Sequence, residues 1–485
     1  MTENLSGTNN VRAKLSSMMF LQFFVWGAWY VTAGQYMAKI GLGDSIAWVY
    51  TVGPIAAILS PMFLGTIADR YFNSEKVLSV LMFIAGGTFL LIPRVAESCA
   101  ENWEATQAAW AAAGLDQKEQ LGDGFLFFQP LISDHLPFIG LIFLHMLCYM
   151  PTLGLTNTIA FTNISSQEKD FPVIRVFGTI GWIAAGVVVS YALKADETAL
   201  PFQVAGGAAI ALGLYSLALP HTPPPMKGEK ATIGKMLGLD ALVMLKNPGF
   251  FVFILCSFLI CIPLAGYYAY AQNFVNAAGF TSPAGVMTAG QVSEIFFMLL
   301  IPFFFRRLGV KWMLGIGMAC WALRYALFAM AAPEGVKWMI FGGIVLHGVC
   351  YDFLFVTGFI YTDKKAPGSI RAQAQSLLVL VTQGLGLGVG AQVMGAVVNG
   401  NGAVDKGELG AQAAALRGQA ADVAGSDADA LLGQASELLL KADNWSGTWT
   451  IPAVLSGLIL VVFLLLFWDR SADGDDQDDT NTAEG

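Results

Sequence analysis

Long apolar runs separated by short polar breaks organise this chain. They lie near 15–40, 45–68, 77–94, 135–162, 172–194, 201–219, 249–274, 284–305, 312–331, 336–361, 372–398 and 447–468. A helix needs about 20 mainly apolar residues to cross a bilayer, so the pattern predicts twelve membrane-spanning helices. His135 and Pro137 suit a membrane interface, where the fourth run begins. The first run is far longer than a signal-peptide core and ends in no small-residue cleavage site, so it reads as the first anchor. Between the sixth and seventh runs lies His221-Thr-Pro-Pro-Pro-Met-Lys-Gly-Glu-Lys, a polar, proline-rich stretch reaching Asn247.

That stretch divides the chain into two sets of six. The expected organisation is an N-terminal half at 1–220, a cytoplasmic linker at 221–247 and a C-terminal half at 248–468. Each half carries a polar insertion, at about 96–134 and 400–445, and an acidic, solvated tail occupies 469–485. The first insertion holds Trp103 and Trp110; the second is rich in Ala, Gly and Asp, with weakly amphipathic segments near 411–424 and 428–441. Short helices capping a mouth and flexible decoration both fit these insertions. An equal division about a central linker is the plan of transporters built from two pseudo-symmetric halves.

Composition agrees with a membrane protein. Hydrophobic residues make up 55% and charged residues 13% of the chain, against about 25% charged in soluble domains. Arg12, Lys14, Arg70, Lys76, Lys227, Lys230, Lys235, Arg306, Arg307, Lys311, Lys364, Lys365 and Arg371 fall on the side of the termini. Fewer basic residues fall on the other side, several of them inside the insertions. The positive-inside rule therefore puts both termini in the cytoplasm, in a multi-pass protein of the cell (inner) membrane. The six cysteines have no metal-ligand spacing and read as small buried hydrophobes. No metal, cofactor or nucleic-acid partner is expected, no catalytic triad or phosphate loop is present, and the chain does not read as an enzyme.

Four charges are stranded in apolar runs: Arg175, Glu294, Arg324 and Asp352. Each costs roughly 2.5–3.5 kcal/mol at the centre of an inserted helix, so such residues face a cavity, pair, or handle solute and protons. Arg175, Thr179 and Trp182 recur at i, i+4 and i+7 and share one helix face. Guanidinium, hydroxyl and indole on one stripe can bind and stack on a planar polar solute, although an arginine near a helix end can instead snorkel to water. Gln291 and Glu294 share a face of the eighth run, where a carboxyl can bind a hydroxyl, exchange a proton or bond a neighbouring helix. In the tenth run His347 and Tyr351 are one turn apart. Asp352 there stands equally as a proton carrier and as the counter-ion of Arg324. The first run contributes Gln22, Trp26, Trp29, Tyr30 and Gln35. Of these, Gln22, Trp26 and Trp29 recur at helical spacing and make either an aromatic wall or interfacial anchors. Tyr267, Tyr268 and Gln272 follow the expected bend at Pro263 and Gly266 and can line the same cavity.

Gly65-Thr-Ile-Ala-Asp69-Arg70 resembles the loop signature of the major facilitator superfamily, with Asp69 and Arg70 as a conformational latch and Arg306-Arg307-Leu-Gly309-Val-Lys311 as a basic echo. More specific stretches carry a closer resemblance. They include Phe20-Leu-Gln-Phe-Phe-Val-Trp26-Gly-Ala-Trp29, Tyr149-Met-Pro-Thr-Leu-Gly-Leu-Thr-Asn157-Thr, Phe171-Pro-Val-Ile-Arg175-Val-Phe-Gly-Thr179 and Leu237-Gly-Leu-Asp240-Ala. Gln291-Val-Ser-Glu294, Trp321-Ala-Leu-Arg324-Tyr, Tyr351-Asp352-Phe353 and Ile370-Arg371-Ala-Gln-Ala-Gln375 continue it. By these motifs the chain resembles the nucleoside:proton symporter family of the major facilitator superfamily. The resemblance implies a major-facilitator fold and a nucleoside site between the halves. Arg175, Thr179, Gln291, Glu294 and Tyr351 would contact base or ribose, Trp182 would take an aromatic position, and Asp352 would match a carboxylate of proton coupling. The chain departs from the family at Ala265 and Tyr268, where amides stand in relatives, and at His347, where a tyrosine does.

The expected function is proton-coupled nucleoside uptake by alternating access, with Glu294 and Asp352 binding the proton and the protein working as a monomer in membrane lipid. A symporter for another polar solute such as a sugar, and a membrane sensor that binds nucleoside without moving it, are the competing readings.

Overall fold

The computed structural model describes residues 2–60, 71–115, 129–165, 167–224, 239–403, 406–423 and 425–468. Among them every regular element is helical. Eight helices are long and apolar enough to cross a membrane, and Leu200–Ser216 is a shorter apolar one. Asp69, Arg70 and the rest of the loop signature lie outside the described residues, as does the acidic tail.

In the N-terminal half the first run forms Thr2–Trp29 and Ala33–Lys39, broken by a turn at Tyr30, Val31 and Thr32. Ile46–Ser60, Ser74–Ala112, Leu136–Thr162, Gln167–Val187 and Leu200–Ser216 follow. Ser74–Ala112 continues well past the expected span end, so the start of the first insertion is a helical extension of the third run. In the C-terminal half come Pro248–Ala277, the 49-residue Pro283–Ala331, a helical run from Lys337 to Lys365, another from Arg371 to Asn401, and Trp445–Leu466. The second insertion folds as two helices packed on each other, Lys406–Ala421 and Ser426–Ala442.

The long Pro283–Ala331 element is two rods rather than one. Gly309 has φ 65° and ψ 177°, a backbone state open to glycine and strained for other residues. It lets the chain reverse between the eighth and ninth expected spans within a very short connection.

Packing repeats in the two halves. Thr2–Trp29 packs on Gln167–Val187, and Ser74–Ala112 packs on both Leu136–Thr162 and Leu200–Ser216. In the second half Pro283–Ala331 packs on Trp445–Leu466, and Pro248–Ala277 on Leu387–Asn401. The halves meet where Gln167–Val187 lies against Pro283–Ala331 and Ile46–Ser60 against Leu387–Asn401. Large apolar side chains such as Val80, Leu91, Phe296, Leu299, Leu458 and Leu465 point outward, as a lipid-facing surface requires and a water-facing one does not.

One crossing within the N-terminal half positions Trp26 and Trp182. A Cβ on Gly27 would lie 2.9 Å from the Cα of Trp182, so the Thr2–Trp29 and Gln167–Val187 helices meet backbone to backbone there. A larger residue must push them apart, at a cost of about 1–3 kcal/mol for overpacking. Gly27→Val should therefore lower the thermal denaturation midpoint of the purified protein by several degrees; an unchanged midpoint would contradict this close approach.

Candidate functional site

The candidate site lies where the halves meet, on helices that the apolar pattern gave as spans one, four, five, seven, eight and ten. From the Gln167–Val187 helix, the Arg175 guanidinium carbon sits 4.0 Å over the Phe23 ring. The ring's negative face offsets part of the charge. Trp182, two turns on, packs edge-on against Trp26 with centroids 5.6 Å apart and also meets Tyr30 at 6.2 Å. Tyr149 closes this wall at 5.7 Å from Trp26. Its hydroxyl donates to the Gln22 carbonyl at 2.6 Å, and Gln22 Nε2 donates to Thr152 Oγ1 at 2.8 Å. Thr179 is half-buried on the same helix as Arg175.

The opposite wall comes from the C-terminal half. Glu294 keeps 15% of its side chain exposed, with an Oε2 3.9 Å from His347 Nε2. Gln291 is half-buried one turn earlier. His347 lies between two rings, Tyr267 at 5.6 Å and Tyr351 at 5.5 Å, both nearly parallel to it. Tyr268 reaches across to Tyr30 of the other half, with centroids 5.6 Å apart. Arg175 and Glu294 lie within electrostatic reach of each other, and Tyr351 within reach of both. A cation and a carboxylate from opposite halves therefore face one space walled by aromatic rings. Such a space can stack a planar ring and hydrogen-bond its polar edges.

Asp352 is fully buried, and neither of its oxygens has a hydrogen-bond partner. It opens a π-helical turn, Asp352–Val356, and lies within electrostatic reach of Glu294. Of the two options for this residue, the counter-ion of Arg324 is not what the structure holds. Arg324 Nε donates to the Gly343 carbonyl at 2.9 Å, its guanidinium lies over Tyr267 and Trp321 at 4.3 and 4.8 Å, and both terminal nitrogens are unpartnered. Cys350 is within electrostatic reach of Arg324; two residues further along a helix Asp352 is rotated about 200° away.

Other expectations separate in space. Trp29 is 1% exposed and packed among Phe89, His145 and Phe202, so it belongs to the core while Trp26 belongs to the wall. Gln272 and Gln35 bond each other at one end of the cavity, away from the aromatic walls. Tyr149 and Phe23 join the site without having been singled out for it from the sequence. The break in the first run at Tyr30 lacks Pro or Gly and carries no strong turn signal. Among the described residues no His/Cys/Asp/Glu group could hold a metal ion.

Trp29 and Trp182 provide a check on this division. Truncating a buried tryptophan costs about 3–5 kcal/mol, so Trp29→Ala should sharply reduce folded yield and thermal stability. Trp182→Ala, at a half-buried cavity wall, should leave a folded protein with a midpoint much nearer that of the parent. Equal losses would place Trp182 in the core as well.

Comparison with known proteins gives the same outline. The family model described as nucleoside H+ symporter matches residues 9–103 and 90–472. The putative nucleoside transporter YegT of Escherichia coli strain K12 is 38% identical over 473 residues, covering 96% of this chain and 95% of its own. The nucleoside permease NupG of the same organism is 32% identical, covering 80% of this chain and 88% of its own. A crystal structure of the nucleoside transporter NupG matches with a TM-score of 0.72 at 25% identity, over 95% of this chain and 100% of that one.

Proposed function

The chain belongs to the nucleoside H+ symporter family, and from that premise we propose how its cavity performs proton-coupled nucleoside uptake. It is a multi-pass helical membrane protein of major-facilitator type, a transporter and not an enzyme. The observation that carries the site assignment is the pair of unlike charges from opposite halves, Arg175 and Glu294, facing one aromatic-walled space.

In this reading Trp182 and Trp26 stack on the base while Arg175 and Thr179 donate to its polar edge. Gln291 and Glu294 bond the ribose hydroxyls or the base from the other half, with His347 and Tyr351 closing that side. A solute held by both halves draws them together, which is the binding step of alternating access. Asp352 carries the coupling proton. Its charge would be uncompensated where it lies, with both oxygens unpartnered, and a proton neutralises it. Glu294, exposed to the cavity and within reach of Asp352, relays that proton and senses substrate.

Twelve spans follow if the first run, Ile46–Ser60 and Leu200–Ser216 each count as one and Pro283–Ala331 counts as two rods. The Lys and Arg distribution supports both termini on the cytoplasmic side of the inner membrane. A monomer suffices, because the two halves of one chain enclose the whole pathway.

The direct test is uptake of labelled uridine and adenosine into proteoliposomes, with and without an inward proton gradient. Gradient-dependent accumulation competed by unlabelled nucleoside is expected. A folded, reconstituted protein that admits neither would refute the substrate assignment and turn the search to sugars, beginning at Ala265, Tyr268 and His347. Asp352→Asn should abolish gradient-driven accumulation while sparing exchange at equal concentrations; loss of both together would assign Asp352 to binding or folding. Arg175→Ala should raise the dissociation constant about tenfold or more, the equivalent of one charge-assisted hydrogen bond. Unchanged affinity would remove Arg175 from the site.

A further inference from the structure

The hydrogen bonds that the described residues make between the halves near the insertion centre on two adjacent acids. Asp196 and Glu197 lie in the loop after the Gln167–Val187 helix and its π-helical end, Val188–Ala192. Asp196 is 7% exposed. Its Oδ2 accepts from Ser190 at 2.6 Å within its own half. Its Oδ1 accepts from the other half: the backbone N–H of Ala284 at 3.0 Å and Gln272 Nε2 at 3.3 Å. Gln272 also donates to Gln35 Oε1 of the first half at 2.7 Å. Glu197 lies at the rim, a third exposed, and accepts from Gln35 at 2.9 Å, Lys39 at 3.1 Å and, across the interface, Asn276 at 2.9 Å.

The contact to Ala284 has a particular meaning. The first N–H groups of a helix have no partner within it, and Ser282, at the N-cap of Pro283–Ala331, supplies no side-chain bond. The cap is supplied instead by a carboxylate of the opposite half, which also matches the positive end of the helix dipole. That helix carries Gln291 and Glu294 two to three turns further on.

The second insertion reaches the same place. Its helices sit on the C-terminal half, where Ser436 lies close to Gly279. From Lys406–Ala421, Arg417 Nη2 donates to the Asn276 carbonyl at 3.3 Å while Nη1 lies 3.9 Å from Glu197. Arg417 thus spans from its own half to the acid of the other.

We propose that Asp196 and Glu197 form a bolt that shuts the insertion-side mouth, that Asp196 sets the position of the helix bearing Gln291 and Glu294, and that the insertion tightens the closure through Arg417. Closing the mouth and assembling the substrate wall are then one event, because one carboxylate does both. The insertion adds a second cation to a network that already holds Lys39. Burial opposes the Glu197 charge, yet the bonds from Lys39 and Gln35 and the charges of Lys39 and Arg417 outweigh it and hold the carboxyl below its usual range. Burial prevails at Asp196, raising its carboxyl, with Ser190 and the Ala284 N–H offsetting part of the shift. The inference rests on alternating access but needs no nucleoside for its test.

Hydrogen–deuterium exchange on the full-length protein in nanodiscs, without substrate, reads the mouth directly. Asp196→Ala should speed exchange in peptides covering 33–40 and 281–290 about tenfold, the effect of losing a capping bond at a closed interface. Peptides covering 200–216 should stay at the parent rate. Asp196→Asn, which keeps an oxygen for Ala284, should restore most of the protection at 281–290. Arg417→Ala, at a partly exposed position, should speed exchange at 33–40 and 273–280 about threefold and leave the rest unchanged. Parent-like exchange at the mouth in Asp196→Ala, or in Arg417→Ala, would overturn the bolt or its tightening by Arg417 respectively. Acceleration spread evenly along the chain in Asp196→Ala, unrescued by Asp196→Asn, would make Asp196 a general stability residue and overturn its positioning role. Failure of nucleoside uptake with a protected mouth would instead count against the substrate reading alone.

Discussion

Ionisable side chains are costly against hydrocarbon, and Arg175, Glu294 and Asp352 are therefore what the rest of the architecture must enclose. Two sets of helices turn apolar faces to lipid and bring these three groups inward, from opposite halves, to one cavity. The aromatic rings around them follow from the same need. Phe23 covers the Arg175 guanidinium, and Tyr267 and Tyr351 enclose His347 beside Glu294, so these two groups meet ring faces in place of water. The site is polar along a narrow line and apolar on its flanks, which suits a flat solute with a polar edge.

The halves are joined differently at different depths. Around the cavity they meet through rings, as Tyr30 meets Tyr268, and such contacts can part without leaving a buried polar group unpaired. At the insertion-side mouth they meet through carboxylates and amides, and parting leaves donors such as the Ala284 N–H in need of water. The mouth is thus closed by directional bonds that water can replace, and the cavity by contacts that a substrate can replace. That difference lets one region open while the other holds.

Much of this was legible in the sequence, because apolar run length reports on lipid crossing regardless of detail. The long apolar helices follow from it. Rotational register was harder. Trp26 and Trp29 share a helical spacing, yet three residues of helix leave their directions about 60° apart, so Trp26 meets Trp182 while Trp29 packs among Phe89, His145 and Phe202. Arg324 and Asp352 looked like partners because both are charges in neighbouring spans, but two residues of helix separate the face that meets Arg324 from the face of Asp352. Gln35 and Gln272 read as polar positions of cavity-lining spans and belong to the mouth. Residues 96–112, rich in Glu, Trp and Ala, read as an insertion and extend a helix, because leaving the membrane need not end a helix of good formers.

The most direct test of the account is a structure with nucleoside bound. Density between Trp182 and Trp26 on one side and Glu294 on the other, within hydrogen-bond reach of both Arg175 and Glu294, is the predicted result. Nucleoside bound elsewhere, or touching one half only, would contradict the claim that opposed charges from the two halves create the site.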